Sequence, residues 1–159
     1  STHPFHTLDV WYPNPTDKAL WAIFIHGGAW CDPTQIKTQG HAILTHLLSR
    51  FPLLNAASID YRLSPHPTHA AVGETVNHPA HLEDVRAALK FLNDTYQMRN
   101  YILIGHSAGA TLCFQILGSG TPCTGLLPKA VIGLAGIYDL RGLVEEYPDY
   151  RGFVEGAFG

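Results

Sequence analysis

Residues 98–113, with the sequence MRNYILIGHSAGATLC, give the strongest indication of how this chain folds. A short run of bulky residues, Tyr101 to Ile104, predicts a buried strand, and a helical pattern follows from Ala108 to Leu117. Between them, residues 105–109 fit the pattern Gly-x-Ser-x-Gly. A serine at the apex of a tight turn between a strand and a helix is the arrangement called a nucleophile elbow. The stretch therefore predicts a nucleophilic serine at one edge of a sheet.

The glycines of this turn have a steric explanation. The serine sits in a strained turn, and side chains two residues to either side of it would collide with the neighbouring strand or helix. We expect Ser107 to be the nucleophile, with its hydroxyl raised above the sheet edge. The amide of Ala108, at the N-terminus of the new helix, is expected to face a developing oxyanion. Because a pattern with three fixed positions often arises by chance, this prediction needs support from elsewhere in the chain.

That support comes from a second motif after an earlier strand. Leu20 to Ile25 is a continuous apolar run, typical of a strand covered on both faces, and it leads into His-Gly-Gly-Ala-Trp at 26–30. An oxyanion hole beside an elbow serine takes one amide from such a loop, and glycines allow the backbone to approach closely. Gly27 and Gly28 are the predicted donors, with Ala29 as a further candidate. We expect His26 to hold the loop rather than to react.

The order of the remaining segments predicts an α/β fold. Apolar patterns predict an edge strand over residues 5–12, a third strand over 56–61 and a further buried strand over 130–135. Helices are predicted from an N-cap at Asp32-Pro33 to Phe51 and from His81 to Leu92, with loops at 64–81 and 121–128 and a short helical tail. Strands that alternate with helices favour a mainly parallel sheet with flanking helices. With no linker in sight, residues 1–159 are expected to form a single domain.

Composition excludes several classes of protein. A chain of 159 residues with 46% hydrophobic and 14% charged residues has the composition of one globular domain. Its net charge of -3, with scattered Lys and Arg, provides no basic surface for nucleic acid or for a membrane. Cys31, Cys113 and Cys123 are odd in number and lack metal-ligand spacing, so we expect free thiols in a reducing compartment, the cytoplasm. A small-molecule partner fits these features best.

A histidine-rich loop raises the question of a metal site. Residues 64–81 contain four histidines among prolines, at positions 66, 69, 78 and 81. These histidines have no carboxylate or cysteine at ligand spacing, so no metal is predicted there.

At these motifs the sequence resembles the kynurenine formamidase (arylformamidase) family of α/β-hydrolases, and its fungal members most closely. The segments that carry the resemblance are His26-Gly-Gly-Ala-Trp30, Asp60-Tyr-Arg-Leu-Ser-Pro65, His78-Pro-Ala-His-Leu-Glu-Asp-Val85, Gly105-His-Ser-Ala-Gly109 and Gly136-Ile-Tyr-Asp-Leu140. The resemblance implies an α/β-hydrolase fold with Ser107 as nucleophile, hydrolysis of N-formyl-L-kynurenine to formate and L-kynurenine, and no metal or organic cofactor. It also implies that Trp30 and Tyr138 lie where an aryl group could pack, although each would fit a core position equally well.

Two other functions remain open. The tyrosine-arginine-leucine-serine-proline and elbow segments are shared with carboxylesterases of the hormone-sensitive-lipase-like type. A non-catalytic, hydrolase-like binding protein is the second alternative, because no histidine follows Ser107. In this fold the triad follows the chain order serine, acid, histidine.

The missing histidine leads to an expectation about the extent of the chain. The resemblance places the acid and the histidine on later strands, so the chain is expected to be the N-terminal portion of a hydrolase domain. Within it, Asp139 is a candidate acid. The outer edge of the strand at 130–135 would then be open, and we expect a second chain or a homodimer to cover it.

Overall fold

The computed structural model describes residues 3–118, 125 and 127–159, and five strands form one sheet within them. The strands are β1 (Leu8–Trp11), β2 (Leu20–Ile25), β3 (Asn55–Ile59), β4 (Asn100–His106) and β5 (Ala130–Leu134). Their order in the sheet is β1-β3-β2-β4-β5. β1 runs antiparallel to its neighbour, and the other pairs of described strands are parallel. The predicted mainly parallel sheet, with the first strand at its edge, is confirmed.

Three helices connect the parallel strands: α1 (His41–Arg50), α2 (Ala80–Tyr96) and α3 (Ala108–Gly118). Two shorter helices, α4 (Leu140–Glu146) and α5 (Arg151–Phe158), follow β5, and 3-10 turns lie at Lys37–Gly40 and Pro148–Tyr150. The predicted loop from residue 64 extends to Pro79, immediately before α2. Most of the predicted loop at 121–128, including Cys123, lies outside the described residues.

The predicted helix start at Asp32-Pro33 is wrong. Regular helix begins only with the 3-10 turn at Lys37, and α1 follows at His41. The Asp32 carboxylate accepts hydrogen bonds from the Thr34 amide at 2.9 Å and the Thr34 hydroxyl at 2.7 Å. This local side-chain turn competes with a helical first turn, which explains why the capping residue does not start a helix.

The core lies on both faces of the central strands. Successive side chains of a strand point to opposite faces, and β2 shows this clearly. Trp21, Ile23 and Ile25 join the large cluster that also holds the apolar stripe of α2, whereas Ala22 and Phe24 join a smaller cluster with Leu44 of α1. A continuous apolar run is therefore what β2 requires, because both of its faces are covered.

Strand β5 differs from the prediction of a buried strand. Ile132 is 42% exposed and Leu134 is 37% exposed. β5 pairs only with β4, and within the described ranges no strand lies along its other edge. Its apolar sequence is that of an interior strand, but its position in this chain is that of an edge.

Candidate active site

The nucleophile elbow forms as the sequence predicts. β4 ends at His106, α3 begins at Ala108, and Ser107 lies between them with a φ of +50°. The left-handed region is unfavourable for a residue with a side chain, at about 1–3 kcal/mol. The Ser107 amide donates to the carbonyl of Leu134 on β5 at 2.9 Å, which helps to hold the turn in this conformation.

Both glycines of the elbow lie against backbone atoms. A Cβ atom added at Gly105 would lie 2.4 Å from the carbonyl oxygen of Gly109, and one added at Gly109 would lie 2.2 Å from the carbonyl oxygen of Ile25. Neither neighbour is a flexible side chain that could move away. The spacing Gly-x-Ser-x-Gly is therefore a steric requirement of a helix packed directly on the ends of two strands.

The glycine loop after β2 lies directly against the elbow. A Cβ atom added at Gly27 would be 3.1 Å from the Cβ of Ser107 and 2.9 Å from the Nδ1 of His106. Gly28 has a φ of +94°, and Ala29 and Trp30 are also in the left-handed region. The structure thus brings the two motifs together, although about eighty residues separate them in the sequence.

The amides of this loop have different partners. The amide of Gly27 donates to the side-chain Oε1 of Gln39 at 3.0 Å. Within the described part of the chain, no acceptor is found for the amide of Gly28 or of Ala108. Of the predicted donors, Gly28 and Ala108 have amides that remain available, whereas the amide of Gly27 is already engaged.

Tyr61 and Ser64, in the segment 60–65, hold the glycine loop in place. The Tyr61 hydroxyl lies 3.2 Å from the carbonyl oxygens of both His26 and Gly27, and the Ser64 amide donates to the carbonyl of Trp30 at 2.8 Å. Complete burial raises the pKa of Tyr61 above its ordinary value, so its hydroxyl remains a donor. A loop fixed in this way is organised before any ligand arrives, which is what an oxyanion site requires.

His26 is a buried structural residue in this arrangement. Its ring stacks on Tyr61 with centroids 4.3 Å apart, and its Nε2 lies 3.7 Å from Asp60 Oδ1. Burial lowers the pKa of His26, so the imidazole is neutral. The Asp60 carboxylate also accepts from the Lys37 amide at 2.6 Å and the Thr7 hydroxyl at 2.8 Å. Asp60 thus joins the glycine loop to β1 and to the turn before α1, a role that the sequence motif did not reveal.

An ion pair joins two of the motif segments. Arg62 donates through Nε to Asp84 Oδ2 at 2.9 Å and through Nη2 to Asp84 Oδ1 at 2.8 Å. The Arg62 amide also donates to Asp84 Oδ2 at 2.9 Å. Burial alone would raise the pKa of Asp84, but these hydrogen bonds outweigh it and hold the pKa below its usual range. The end of β3 is thereby fixed to the first turns of α2.

The two predicted aryl-binding residues lie in different environments. Trp30 is 1% exposed, and its ring meets Phe158 of α5 edge-on at 5.0 Å. Tyr138 is 59% exposed, and its ring meets Phe114 edge-on at 5.3 Å. A Cβ atom at Gly133 or Gly136 would collide with the Tyr138 hydroxyl, so the hydroxyl end of the ring lies against the end of β5. Tyr138 thus has a free surface for a ligand, whereas Trp30 is covered by α5.

Among the described side chains, none is placed as a general base at Ser107. Throughout the described ranges, the Ser107 hydroxyl has no hydrogen-bond partner. His81 Nε2 lies 3.0 Å from the Ser64 hydroxyl, and burial lowers the pKa of His81 to about 4. Asp139, the candidate acid, is exposed and caps α4 by accepting from the Gly142 amide at 2.9 Å.

In the described part of the chain, no group of three or more His, Cys, Asp or Glu side chains is arranged to hold a metal ion. Among the helices whose residues are described, none combines the length and apolar character needed to cross a bilayer.

A serine elbow on a mainly parallel sheet, with a glycine loop against it, defines an α/β-hydrolase. Residues 8–120 match the sequence profile of the BD-FAE family, and the chain belongs to that family. It is 42% identical over 153 residues to a kynurenine formamidase of Meyerozyma guilliermondii, covering 92% of this chain and 54% of that protein. It is 38% identical to kynurenine formamidase avaC of Aspergillus versicolor, covering 98% of this chain and 60% of that protein.

Among solved structures, the Francisella virulence factor BioJ superposes with a TM-score of 0.57 at 26% identity, covering 79% of this chain and 38% of BioJ. The chain thus spans 54% to 60% of the length of the two formamidases named above.

Proposed function

We propose that this chain carries the nucleophile and the oxyanion site of a kynurenine formamidase, a serine hydrolase that acts on N-formyl-L-kynurenine. The observation that carries the proposal is the contact between the glycine loop and the elbow, where Gly27 lies against Ser107. The names of the two fungal relatives support the choice of an aryl formamide as substrate.

The proposed reaction follows the acyl-transfer scheme of serine hydrolases. The Ser107 Oγ attacks the formyl carbon and gives its proton to a base, while the amides of Gly28 and Ala108 stabilise the oxyanion. The C–N bond then breaks, the amine of L-kynurenine takes the proton from the base, and a formyl-serine ester remains. Water attacks this ester, and formate leaves as the serine regains its proton.

The scheme requires a general base, and the sequence after Ser107 contains no histidine that could act as one. No histidine follows His106 in the sequence, and the buried His26 and His81 are engaged elsewhere. We propose that the histidine is supplied by a polypeptide segment other than these residues. Asp139 would then serve only as the cap of α4.

Tyr138 is the proposed contact for the aryl group of the substrate. It follows β5, whose Leu134 carbonyl binds the Ser107 amide, and its ring is exposed beside Phe114. Trp30 would reach a ligand only after the Phe158 side chain had moved away. In the resting arrangement, its role is to support the glycine loop from within the core.

We also propose a protein partner and a cellular compartment for this chain. The outer edge of β5 is unpaired in the described residues, and the exposed Ile132 and Leu134 lie together on one face of that strand. Both features support association of this strand with a second polypeptide or a second copy. Cys31 and Cys113 are both free and buried, and burial raises the pKa of Cys31 to about 11. Two unreactive free thiols support a reducing compartment, and the cytoplasm is the proposed location.

A comparison of substrates tests the proposed activity. The chain is assayed, alone and together with the polypeptide proposed to supply the histidine, on N-formyl-L-kynurenine and on p-nitrophenyl acetate, with Ser107→Ala as control. Faster turnover of the formamide, abolished by Ser107→Ala, would support the proposal. Faster turnover of the ester would favour a carboxylesterase. Binding of the formamide without turnover or labelling of Ser107 would favour a non-catalytic binding protein.

A further inference from the structure

Side chains behind the glycine loop form a chain of hydrogen bonds that all run in one direction. The Gly27 amide donates to Gln39 Oε1 at 3.0 Å, and Gln39 Nε2 donates to Gln35 Oε1. Gln35 Nε2 in turn donates to the Thr34 hydroxyl at 3.4 Å, and that hydroxyl donates to Asp32 Oδ1 at 2.7 Å. We call this chain of hydrogen bonds the relay. It begins at the Gly27 amide, beside the nucleophile, and ends at the Asp32 carboxylate.

The anionic end gives the relay its direction. Burial raises the pKa of Asp32, but its hydrogen bonds from Thr34 outweigh this and hold the pKa below its ordinary value. A carboxylate is acceptor-only, so it fixes the direction in which Thr34, Gln35 and Gln39 donate. Because Gln39 Nε2 is engaged by Gln35, the opposite atom of the amide, Oε1, must face Gly27.

The two glutamines contact both glycines of the motif. Gln39 accepts a hydrogen bond from the Gly27 amide, and a Cβ atom added at Gly28 would lie only 2.8 Å from the Cβ of Gln35. Gly27 is buried, so its amide would lack an acceptor if the Gln39 side chain were removed. A backbone with a φ of +94° at Gly28 is then free to rotate toward another arrangement.

We propose that Gln39 is a positioning residue for the oxyanion site. It holds the Gly27 amide away from the reacting oxygen and leaves the Gly28 amide as the donor that faces it. This inference rests on the proposed hydrolase function. The two glycines then have different roles. Gly27 allows the loop to approach Ser107 closely, and Gly28 supplies the amide that donates to the oxyanion.

The test uses the full chain and three variants. Gln39→Met keeps the length of the side chain but removes the acceptor, Gln39→Glu restores an acceptor at the same place, and Thr38→Ala is a control at an exposed position of the same turn. Two properties are measured: hydrogen exchange and chemical shift of the amides of residues 27–29 by NMR, and the second-order rate at which a fluorophosphonate labels Ser107.

We expect Gln39→Met to accelerate exchange at Gly27 by at least about tenfold, because its hydrogen bond is lost. The amide shifts of Gly28 and Ala29 should move, and labelling should slow by about tenfold, since small displacements of an oxyanion donor have large effects on rate. Gln39→Glu keeps an acceptor for the Gly27 amide, so exchange at Gly27 and the amide shifts of Gly28 and Ala29 should return toward those of the unaltered chain. Labelling should be faster than in Gln39→Met but slower than in the unaltered chain, because a carboxylate cannot donate to Gln35 Oε1. Thr38→Ala should change none of them.

Two results would overturn the inference. If Gly27 exchanges faster in Gln39→Met but labelling is unchanged, the glutamine only satisfies a buried amide. Unchanged exchange at Gly27 would show that the hydrogen bond does not exist. If Ser107 of the unaltered chain is not labelled at all, the proposed hydrolase function is contradicted, but the role of Gln39 can still be tested. The amide shifts of Gly28 and Ala29 then decide it. Shifts that move in Gln39→Met and return in Gln39→Glu support it, and shifts that stay fixed refute it.

A second variant covers the case in which Gln39→Met does not fold. Gln35→Met leaves Gln39 in place but removes the acceptor that fixes the orientation of its amide. We expect about threefold slower labelling of Ser107 and faster exchange at Gly27. No change in either property would also contradict the relay.

Discussion

At the scale of single residues, the elbow depends on a glycine that lies against another strand. Gly109 faces the Ile25 carbonyl, with which a Cβ atom would clash at 2.2 Å. We expect Gly109→Ala to lower the free energy of unfolding by about 2–3 kcal/mol, because backbone atoms must shift to admit the methyl group. Urea denaturation followed by circular dichroism measures the change.

Gly118 provides the matched control for this substitution. It lies in the same helix, and among the described residues no atom outside the helix backbone and the neighbouring residues lies within 4 Å of an added Cβ. Gly118→Ala should leave stability unchanged or raise it by up to about 1 kcal/mol, as helix propensity predicts. Equal effects of the two substitutions would show that α3 does not pack on the strand ends as described.

His81 predicts a dependence of stability on pH. Burial, and secondarily the nearby His78, lower its pKa to about 4, from an unfolded value of 6.5. Since the unfolded chain takes up the proton first, the contribution is fully present above about pH 6.5 and is lost as the pH falls toward 4. The Ser64 hydroxyl donates its proton to the Val76 carbonyl, so His81 Nε2 donates to Ser64.

His81→Gln tests this dependence because glutamine retains a donor but does not titrate. We expect the free energy of unfolding, measured in urea at several values between pH 4 and pH 7, to fall less steeply in the variant than in the unaltered chain. Identical slopes would mean that His81 titrates normally in the folded protein.

At the scale of secondary-structure elements, the ion pair between Arg62 and Asp84 fixes β3 to α2. The Asp84 side chain is 6% exposed and accepts three hydrogen bonds from Arg62. We expect Asp84→Asn to lower the free energy of unfolding at neutral pH by about 2–3 kcal/mol, because it leaves a partly buried guanidinium without its counter-charge.

The same helix contains a control for the charge itself. Asp94 pairs with Lys90 on the exposed face of α2, where solvent screens the interaction. Asp94→Asn should change stability little or not at all. A similar effect of both substitutions at neutral pH would contradict this description.

The ion pair also makes stability depend on pH. Because the pKa of Asp84 is depressed in the fold, the stabilisation by Asp84 is present above its unfolded pKa and is lost as the pH falls through its folded pKa.

Local patterns predicted the central strands but not every element boundary. The apolar runs of β2 and β4 were sufficient because both faces of these strands are buried. The start of α1 was missed since the Asp32 side chain forms a turn with Thr34 instead of a cap. The exposure of β5 was missed because an apolar run shows what a strand requires and does not show what covers it in a given chain.

The site was predicted only where glycine and serine patterns mark it. Gly-x-Ser-x-Gly and His-Gly-Gly reflect steric limits, so they can be recognised in a sequence. Gln39 and Asp60 act through side chains that meet the glycine loop only in three dimensions. Gln39 lies in none of the motifs, and the motif that begins at Asp60 does not show which residues its carboxylate contacts.

At the scale of the whole molecule, the open edge of β5 predicts association. Ile132 and Leu134 are exposed on a strand with one paired edge. We expect the chain to sediment as a dimer or larger species at micromolar concentration, and Ile132→Lys to shift it toward the monomer. A clean monomer of the unaltered chain in analytical ultracentrifugation would contradict this prediction.

The central claim is that the two motifs form an oxyanion site around a nucleophilic serine. The most direct test is to treat the folded chain with a fluorophosphonate and to locate the adduct by peptide mass spectrometry. Oxyanion stabilisation alone retains roughly 10³-fold rate acceleration when a triad member is absent, so labelling should be slow but specific. We expect one adduct, on Ser107, and none in Ser107→Ala. A folded preparation that is unlabelled at Ser107, or labelled equally at other serines, would contradict the claim.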